Sequence, residues 1–85
     1  MKRTSMELGG KNPMIIFDDA DLELVFKNVF VGSFINTGQF CMSASRLFVH
    51  ENIYDAFCEG LKGLVSTIKV GEAFEEGVWN GPQIN

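Results

Sequence analysis

Met14-Ile15-Ile16-Phe17-Asp18-Asp19-Ala20-Asp21-Leu22 decides the fold of this chain. Its first four residues form a continuous apolar run, the pattern of a strand buried on both faces. Asp18, Asp19 and Asp21 then supply the acceptors and negative charge that a helix start requires. From Leu22 to Ile35 the apolar residues fall on nearly every helical face, among them Val25, Phe26, Val29, Phe30 and Phe34. A helix apolar all round belongs inside a larger body. Gly32 and Ser33 within it are small enough for another element to approach closely.

Beyond that helix, residues 36–45 are small and polar and predict a sharply bent loop. Arg46-Leu47-Phe48-Val49-His50 reads as a second buried strand. Asn52 is then expected to cap another helix, with Asp55 three residues on as an approximate capping box. Phe57, Leu61, Leu64, Val65 and Ile68 follow helical spacing and form one apolar stripe. Residues 70–85, with Gly71, Gly77, Gly81 and Pro82, form a loop-rich tail. On the other side, residues 3–8 alternate loosely and predict a short strand entering the Gly9-Gly10 turn. No internal repeat occurs. The order strand, helix, strand, helix points to a parallel α/β arrangement with right-handed crossovers.

Eighty-five residues bound this to a single domain, and short domains bury a small share of their surface. Hydrophobic residues make up 46% and charged residues 21%, a globular balance rather than a disordered one. Eight Phe are more than an isolated domain of this length hides easily, which reads as part of something larger. The net charge of −4 and the lack of a basic cluster argue against nucleic acid or an anionic membrane as partner. Lys27, Asn28, Ser33 and Asn36 interrupt the longest apolar stretches, so no membrane span is expected. Met1-Lys2-Arg3 is followed by Glu7 and two glycines, not by the apolar core of a signal peptide. Cys41 and Cys58 make neither a disulfide framework nor a metal site, and no metal is expected. Both thiols are expected to be free in a cytoplasmic setting.

Two residues carry chemistry. Glu7 lies in Met6-Glu7-Leu8-Gly9-Gly10-Lys11-Asn12-Pro13, and Cys41 lies in Phe34-Ile35-Asn36-Thr37-Gly38-Gln39-Phe40-Cys41-Met42. A thiol that attacks a carbonyl makes a covalent intermediate, and a carboxylate can activate the water that releases it. A catalytic Cys needs a polar, reachable setting, and the small residues around Cys41 suit a tight turn. Taken singly, each residue has a plainer reading: a lone Cys is commonly a small buried hydrophobe, and a Glu near a strand end is commonly solvated. Cys58, beside Phe57 on the second helix, is given that plainer reading.

Together the two segments are similar to the glutamate and cysteine signatures of the NAD(P)-dependent aldehyde dehydrogenase superfamily. The 34-residue separation of Glu7 from Cys41 resembles the family's spacing. Asp18-Asp19-Ala20-Asp21-Leu22, Ser45-Arg46 and Gly81-Pro82 also fall where the family has similar residues, so the resemblance runs along the whole chain. Ser43 departs from it, standing where the family usually has Ala or Gly.

The resemblance implies part of an α/β catalytic domain, residues 1–85, incomplete and cut from a longer protein. It implies oxidation of a small-molecule aldehyde to a carboxylic acid with NAD or NADP. Cys41 would be the nucleophile, passing through a thiohemiacetal and a thioester, and Glu7 the base for its hydrolysis. The Cys41 amide would serve the oxyanion hole. The Leu8 and Gly9 backbone would lie by the nicotinamide, and Phe40 and Met42 would line the substrate funnel. Glu7 favours the acid-forming branch over members that pass the acyl group to coenzyme A. The parent protein would be a homo-oligomer, a dimer or tetramer.

No Gly-x-Gly-x-x-Gly fingerprint occurs, so the dinucleotide-binding and oligomerisation regions are expected to lie elsewhere and the 85 residues alone to be inactive. Two other readings compete. One is a non-catalytic truncated product that aggregates or pairs with another chain. The other is a small thiol redox or binding domain, which the absence of a Cys-x-x-Cys pair disfavours.

Overall fold

Strand β1 spans Asn12–Ile16, helix α1 Leu22–Phe34, strand β2 Ala44–Val49 and helix α2 Tyr54–Val65. The computed structural model describes residues 1–84. β1 and β2 pair in parallel, with Ile15 opposite Phe48 and Ile16 opposite Val49. A register irregularity falls between Asn12 and Pro13, where Asn12 pairs with Ala44 and Pro13 with Arg46. Parallel pairing requires a crossover between the strands, and α1 provides it. The strand, helix, strand, helix order expected from the sequence is the order observed.

Asp21 starts α1 by accepting from the backbone N–H of Glu23 at 2.9 Å and of Leu24 at 3.4 Å. Glu23 puts negative charge in the first turn and pairs with Lys27 one turn on, at 3.1 Å. The helix stops at Phe34 because Ile35 is extended and Asn36 and Thr37 turn left-handed. α2 starts differently from the expectation. Asn52 caps nothing: the His50 Nδ1 accepts from the Asn52 N–H at 3.2 Å, opening a 3-10 turn over Glu51–Ile53. The Asn52 side chain instead donates to Asp18 at 3.0 Å, across the ends of both strands. Ile53 then stands at the N-cap of α2 with no side-chain cap, so no capping box forms. Ile68 lies beyond the end of α2.

The core lies beneath one face of the sheet. Ile16, Val29 and Phe57 are buried, one each from β1, α1 and α2. Met14, Leu47 and Val49 pack against them from the same sheet face, as the period-2 alternation of a strand dictates. Phe26 and Phe57 stack at 5.8 Å between ring centres, joining the helices. Seating Phe26 there needs a neighbour without a side chain, since a Cβ on Gly60 would run into its ring.

The expectation that both strands are buried on both faces does not hold. Ile15 and Phe17 are each 63% exposed and Phe48 is 53% exposed, all on the uncovered side. The apolar run is thus a sheet with one face packed and the other bare. Leu24 and Val31 on α1 are exposed as well, so the helix that reads as apolar all round is covered on one side. The accessible surface is 6976 Å², against about 5,000 Å² for a compact protein of this mass. This molecule does not close over its own apolar surface.

The strand expected over residues 3–8 is absent. Residues 1–11 have no regular secondary structure and are exposed throughout. Alternation alone cannot make a strand; its N–H and C=O groups need a neighbour to pair with, and none adjoins them among the described residues. The described residues after α2 form turns and loop, tethered at several points. Val70 and Asn80 form an isolated parallel bridge, Lys69 pairs with Glu75 at 2.6 Å, and Trp79 packs on Phe30 at 4.9 Å. Asn85, the last residue of that expected tail, lies outside the described residues. Among the described residues no helix is long and apolar enough to cross a membrane.

Candidate active site

Cys41 occupies a tight turn just before β2. The Ser43 N–H donates to the Phe40 carbonyl at 3.0 Å, which leaves the thiol in the middle of the turn and exposed. This is the reachable setting a nucleophilic cysteine requires. Cys58 is half-buried on α2 and packs against the core. Both thiols are free.

Three successive left-handed residues deliver the chain into that turn. Asn36 (φ 52°), Thr37 (φ 60°) and Gly38 (φ 73°) reverse the direction of the chain after α1. Asn and Gly tolerate this conformation; a β-branched Thr does not, and such strain costs on the order of 1–3 kcal/mol. The Asn36 side chain supports the bend by donating to the Gln39 carbonyl at 3.0 Å. Ser33 anchors it from α1 by donating to the Ala44 carbonyl at 3.0 Å, which fulfils the close approach anticipated at Gly32 and Ser33. A Cβ on Gly32 would sit 3.3 Å from the Met14 Cε.

The glutamate segment reaches the same place from the other strand. Asn12, the first residue of β1, donates its side-chain amide to the Cys41 carbonyl at 2.8 Å and to the Ser43 carbonyl at 3.1 Å. Arg46 of β2 answers by donating to the Lys11 carbonyl. Gly10 lies directly against the turn: a Cβ there would fall 2.6 Å from the Asn12 Nδ2 and closer still to the Cys41 carbonyl oxygen. Glu7 is three residues upstream, so its Cα lies within about 11 Å of Gly10 by chain length alone. Glu7 is exposed, Leu8 is 67% exposed, and a Cβ on Gly9 would meet nothing within 4 Å. The structure therefore joins the two segments through their backbones, at Gly10 and Asn12, and leaves the residues from Glu7 to Gly9 open to solvent.

Phe40 and Met42, on either side of Cys41, line a shallow groove of about 180 Å³ with Val31, Gly32 and Ile35. Larger grooves lie elsewhere. One of about 320 Å³ runs along β1 and the start of α1, and one of about 440 Å³ lies between α1 and the end of α2. Neither reaches Cys41. Ser43 is buried at 8% exposure, and its hydroxyl finds no partner among the described residues. No cluster of metal-ligating side chains occurs among the described residues.

Asn12 and Arg46 are the residues that sequence reasoning left without a task. Both stood inside quoted segments, but hydrogen bonds spanning 29 to 35 positions cannot be read from local pattern. The only hint was the polar Asn12 at the threshold of an apolar strand.

Comparison with known proteins places this geometry. The profile of the aldehyde dehydrogenase family matches residues 1–85. Over all 85 residues the chain is 42% identical to glutarate-semialdehyde dehydrogenase of Pseudomonas putida and 45% identical to betaine aldehyde dehydrogenase of Brucella ovis, spanning 18% of each. It superposes on succinate-semialdehyde dehydrogenase from Burkholderia pseudomallei with a TM-score of 0.90 at 46% identity, covering 95% of this chain and 17% of that one. Betaine aldehyde dehydrogenase from Staphylococcus aureus, solved in complex with NAD+, superposes with a TM-score of 0.84 at 44% identity, over 93% of this chain and 16% of that one. The chain thus spans about a fifth of the length of the relatives it matches. It belongs to the aldehyde dehydrogenase family and has the parallel α/β fold of the corresponding part of those enzymes.

Proposed function

We propose that these residues serve the NAD(P)-dependent oxidation of an aldehyde to a carboxylic acid, as part of a catalytic domain whose dinucleotide-binding and oligomerisation regions lie outside them. The observation that supports this reading is the contact of Gly10 and Asn12 with the backbone of the Cys41 turn, which joins the glutamate segment to that turn. The Cys41 Sγ adds to the aldehyde carbonyl carbon, and the oxygen takes up the negative charge beside the Cys41 N–H. Hydride loss from that adduct, for which NAD or NADP supplies the acceptor, leaves a thioester on Cys41. Glu7 takes a proton from water, the resulting hydroxide attacks the thioester carbonyl, and the acid departs as the thiolate re-forms.

The open backbone at Leu8 and Gly9 fits a flat nicotinamide ring, because nothing fills the space over Gly9. The apolar groove at Phe40 and Met42 favours an apolar or aromatic aldehyde. A homo-oligomeric, cytoplasmic parent enzyme is part of the same proposal. The bare sheet face also suits the competing reading, a fragment that aggregates or pairs with another chain.

The decisive experiment grafts residues 1–85 onto the matching segment of the Pseudomonas putida relative and follows formation of reduced nicotinamide. The graft is expected to oxidise aldehyde while the 85 residues alone do not. Cys41→Ser should abolish turnover, and Glu7→Gln should slow it by about 10² to 10⁴, with acyl-enzyme accumulating. Full activity in the Cys41→Ser graft would refute the assignment.

A further inference from the structure

Asn12 stands at the point where the two signature segments meet, and nothing in the proposed chemistry uses it. Its amide is the only side chain among the described residues that holds the backbone on both sides of Met42, through the carbonyls of Cys41 and Ser43. One donor group therefore sets the orientation of one peptide unit inside the Cys41 turn, 41–42, and of the unit that leaves it, 43–44. A trans peptide is planar, so pinning a carbonyl also fixes the direction of the N–H that follows it. Asn12 is joined through Lys11 to Gly10, which abuts the Cys41 carbonyl, and Lys11 is held in turn by Arg46 from the far side of the turn. The cysteine turn and the glutamate segment are thus cross-tied in both directions.

We propose that Asn12 is a positioning residue that sets the distance between Glu7 and the Cys41 thiol, with Arg46 completing the tie. It touches neither substrate nor cofactor; it acts through the Cys41 backbone. A carboxylate on a segment without regular structure has no fixed place relative to the thiol unless that segment is anchored. Asn12 and Arg46 supply the anchor. The catalytic consequence rests on the function proposed above, but the tie itself does not.

Thiol exchange measures the tie independently of any activity. In the 85-residue chain with Cys58→Ser and Glu7→Cys, oxidised glutathione converts the thiols at positions 7 and 41 into a disulfide, releasing two reduced glutathiones. The disulfide fraction at a fixed glutathione ratio reports their effective concentration. A control chain, with Cys41→Ser as well as Cys58→Ser, carries Ile15→Cys and Phe48→Cys, opposite one another on the exposed sheet face. Asn12→Ala removes both shape and donor, and Asn12→Asp keeps the shape but cannot donate. Both are expected to lower the effective concentration of positions 7 and 41 by about tenfold while the control pair is unchanged. A change below about twofold, or an equal fall in the control pair, overturns the proposal.

In the graft, Asn12→Asp is expected to lower kcat by about tenfold with KM for the aldehyde nearly constant, since misplacement acts on attack rather than binding. An unaltered kcat overturns the catalytic role. Should the unsubstituted graft oxidise no aldehyde, the function assignment fails while the exchange experiment still decides the tie.

Discussion

The core beneath the sheet and the junction at the start of the strands are built on opposite principles. The core joins β1, α1 and α2 through Ile16, Val29 and Phe57, with no hydrogen bond between their side chains. The junction joins β1 to the Cys41 turn through the hydrogen bonds of Asn12 and Arg46 and the close approach of the Gly10 backbone. Apolar packing is non-directional and tolerates shifts of several tenths of an ångström; hydrogen bonds fix a group in direction and place. The element that only has to hold together is apolar. The one that carries the exposed thiol is polar. The two cysteines divide along the same line, Cys58 packed against the core and Cys41 exposed in the turn.

The largest expected effect tests the core. Phe57 is 3% exposed, stacks on Phe26 and anchors α2. Phe57→Ala is expected to destabilise by about 3–5 kcal/mol, enough to unfold a chain with so small a core. Urea denaturation followed by circular dichroism measures it. A loss under about 1 kcal/mol would mean that the junction, not the core, holds the molecule together.

The junction responds to a smaller change. Gly10→Ala drives a methyl into the Cys41 carbonyl, a backbone atom that cannot swing away, whereas Gly9→Ala meets open space. The first is expected to cost about 1–3 kcal/mol, and the second to stay within about 0.5 kcal/mol of the parent. The same denaturation experiment ranks them. Equal effects at the two glycines would show that Gly10 is kept for its flexibility and not for its close approach.

These positions also mark how far the sequence could be read. The periodicity of Met14–Phe34 and Leu47–Leu64 yielded the order of elements and, in α2, the packed stripe, because period is a local property. The bare outer face was not legible, since Ile15 and Phe48 look in sequence like residues covered on both sides. The strand at residues 3–8 failed for a related reason: pairing is a property of the neighbour, and the alternating segment has none. The start of α2 failed locally, where His50 took the capping place assigned to Asn52 and Asn52 turned to Asp18. At the site, Glu7 and Cys41 stood out through their flanking residues. Asn12 did not, because its partners are 29 and 31 positions away.

Ser43 gives the finest test of the junction. Its carbonyl accepts from Asn12, yet its own hydroxyl is buried without a partner among the described residues. A buried hydroxyl without a hydrogen bond costs about 1–3 kcal/mol, and Ala removes it without adding volume or disturbing the carbonyl. Ser43→Ala is therefore expected to raise stability by about 1 kcal/mol, or the melting temperature by about 4–8 °C for a chain of this length. Thermal melting monitored by circular dichroism reads this directly. A lower melting temperature would mean that the hydroxyl holds a hydrogen bond in solution. The Cys41 turn would then carry a polar tie of its own beside those of Asn12 and Arg46, and the contrast between a polar junction and an apolar core would be sharper than those hydrogen bonds alone make it.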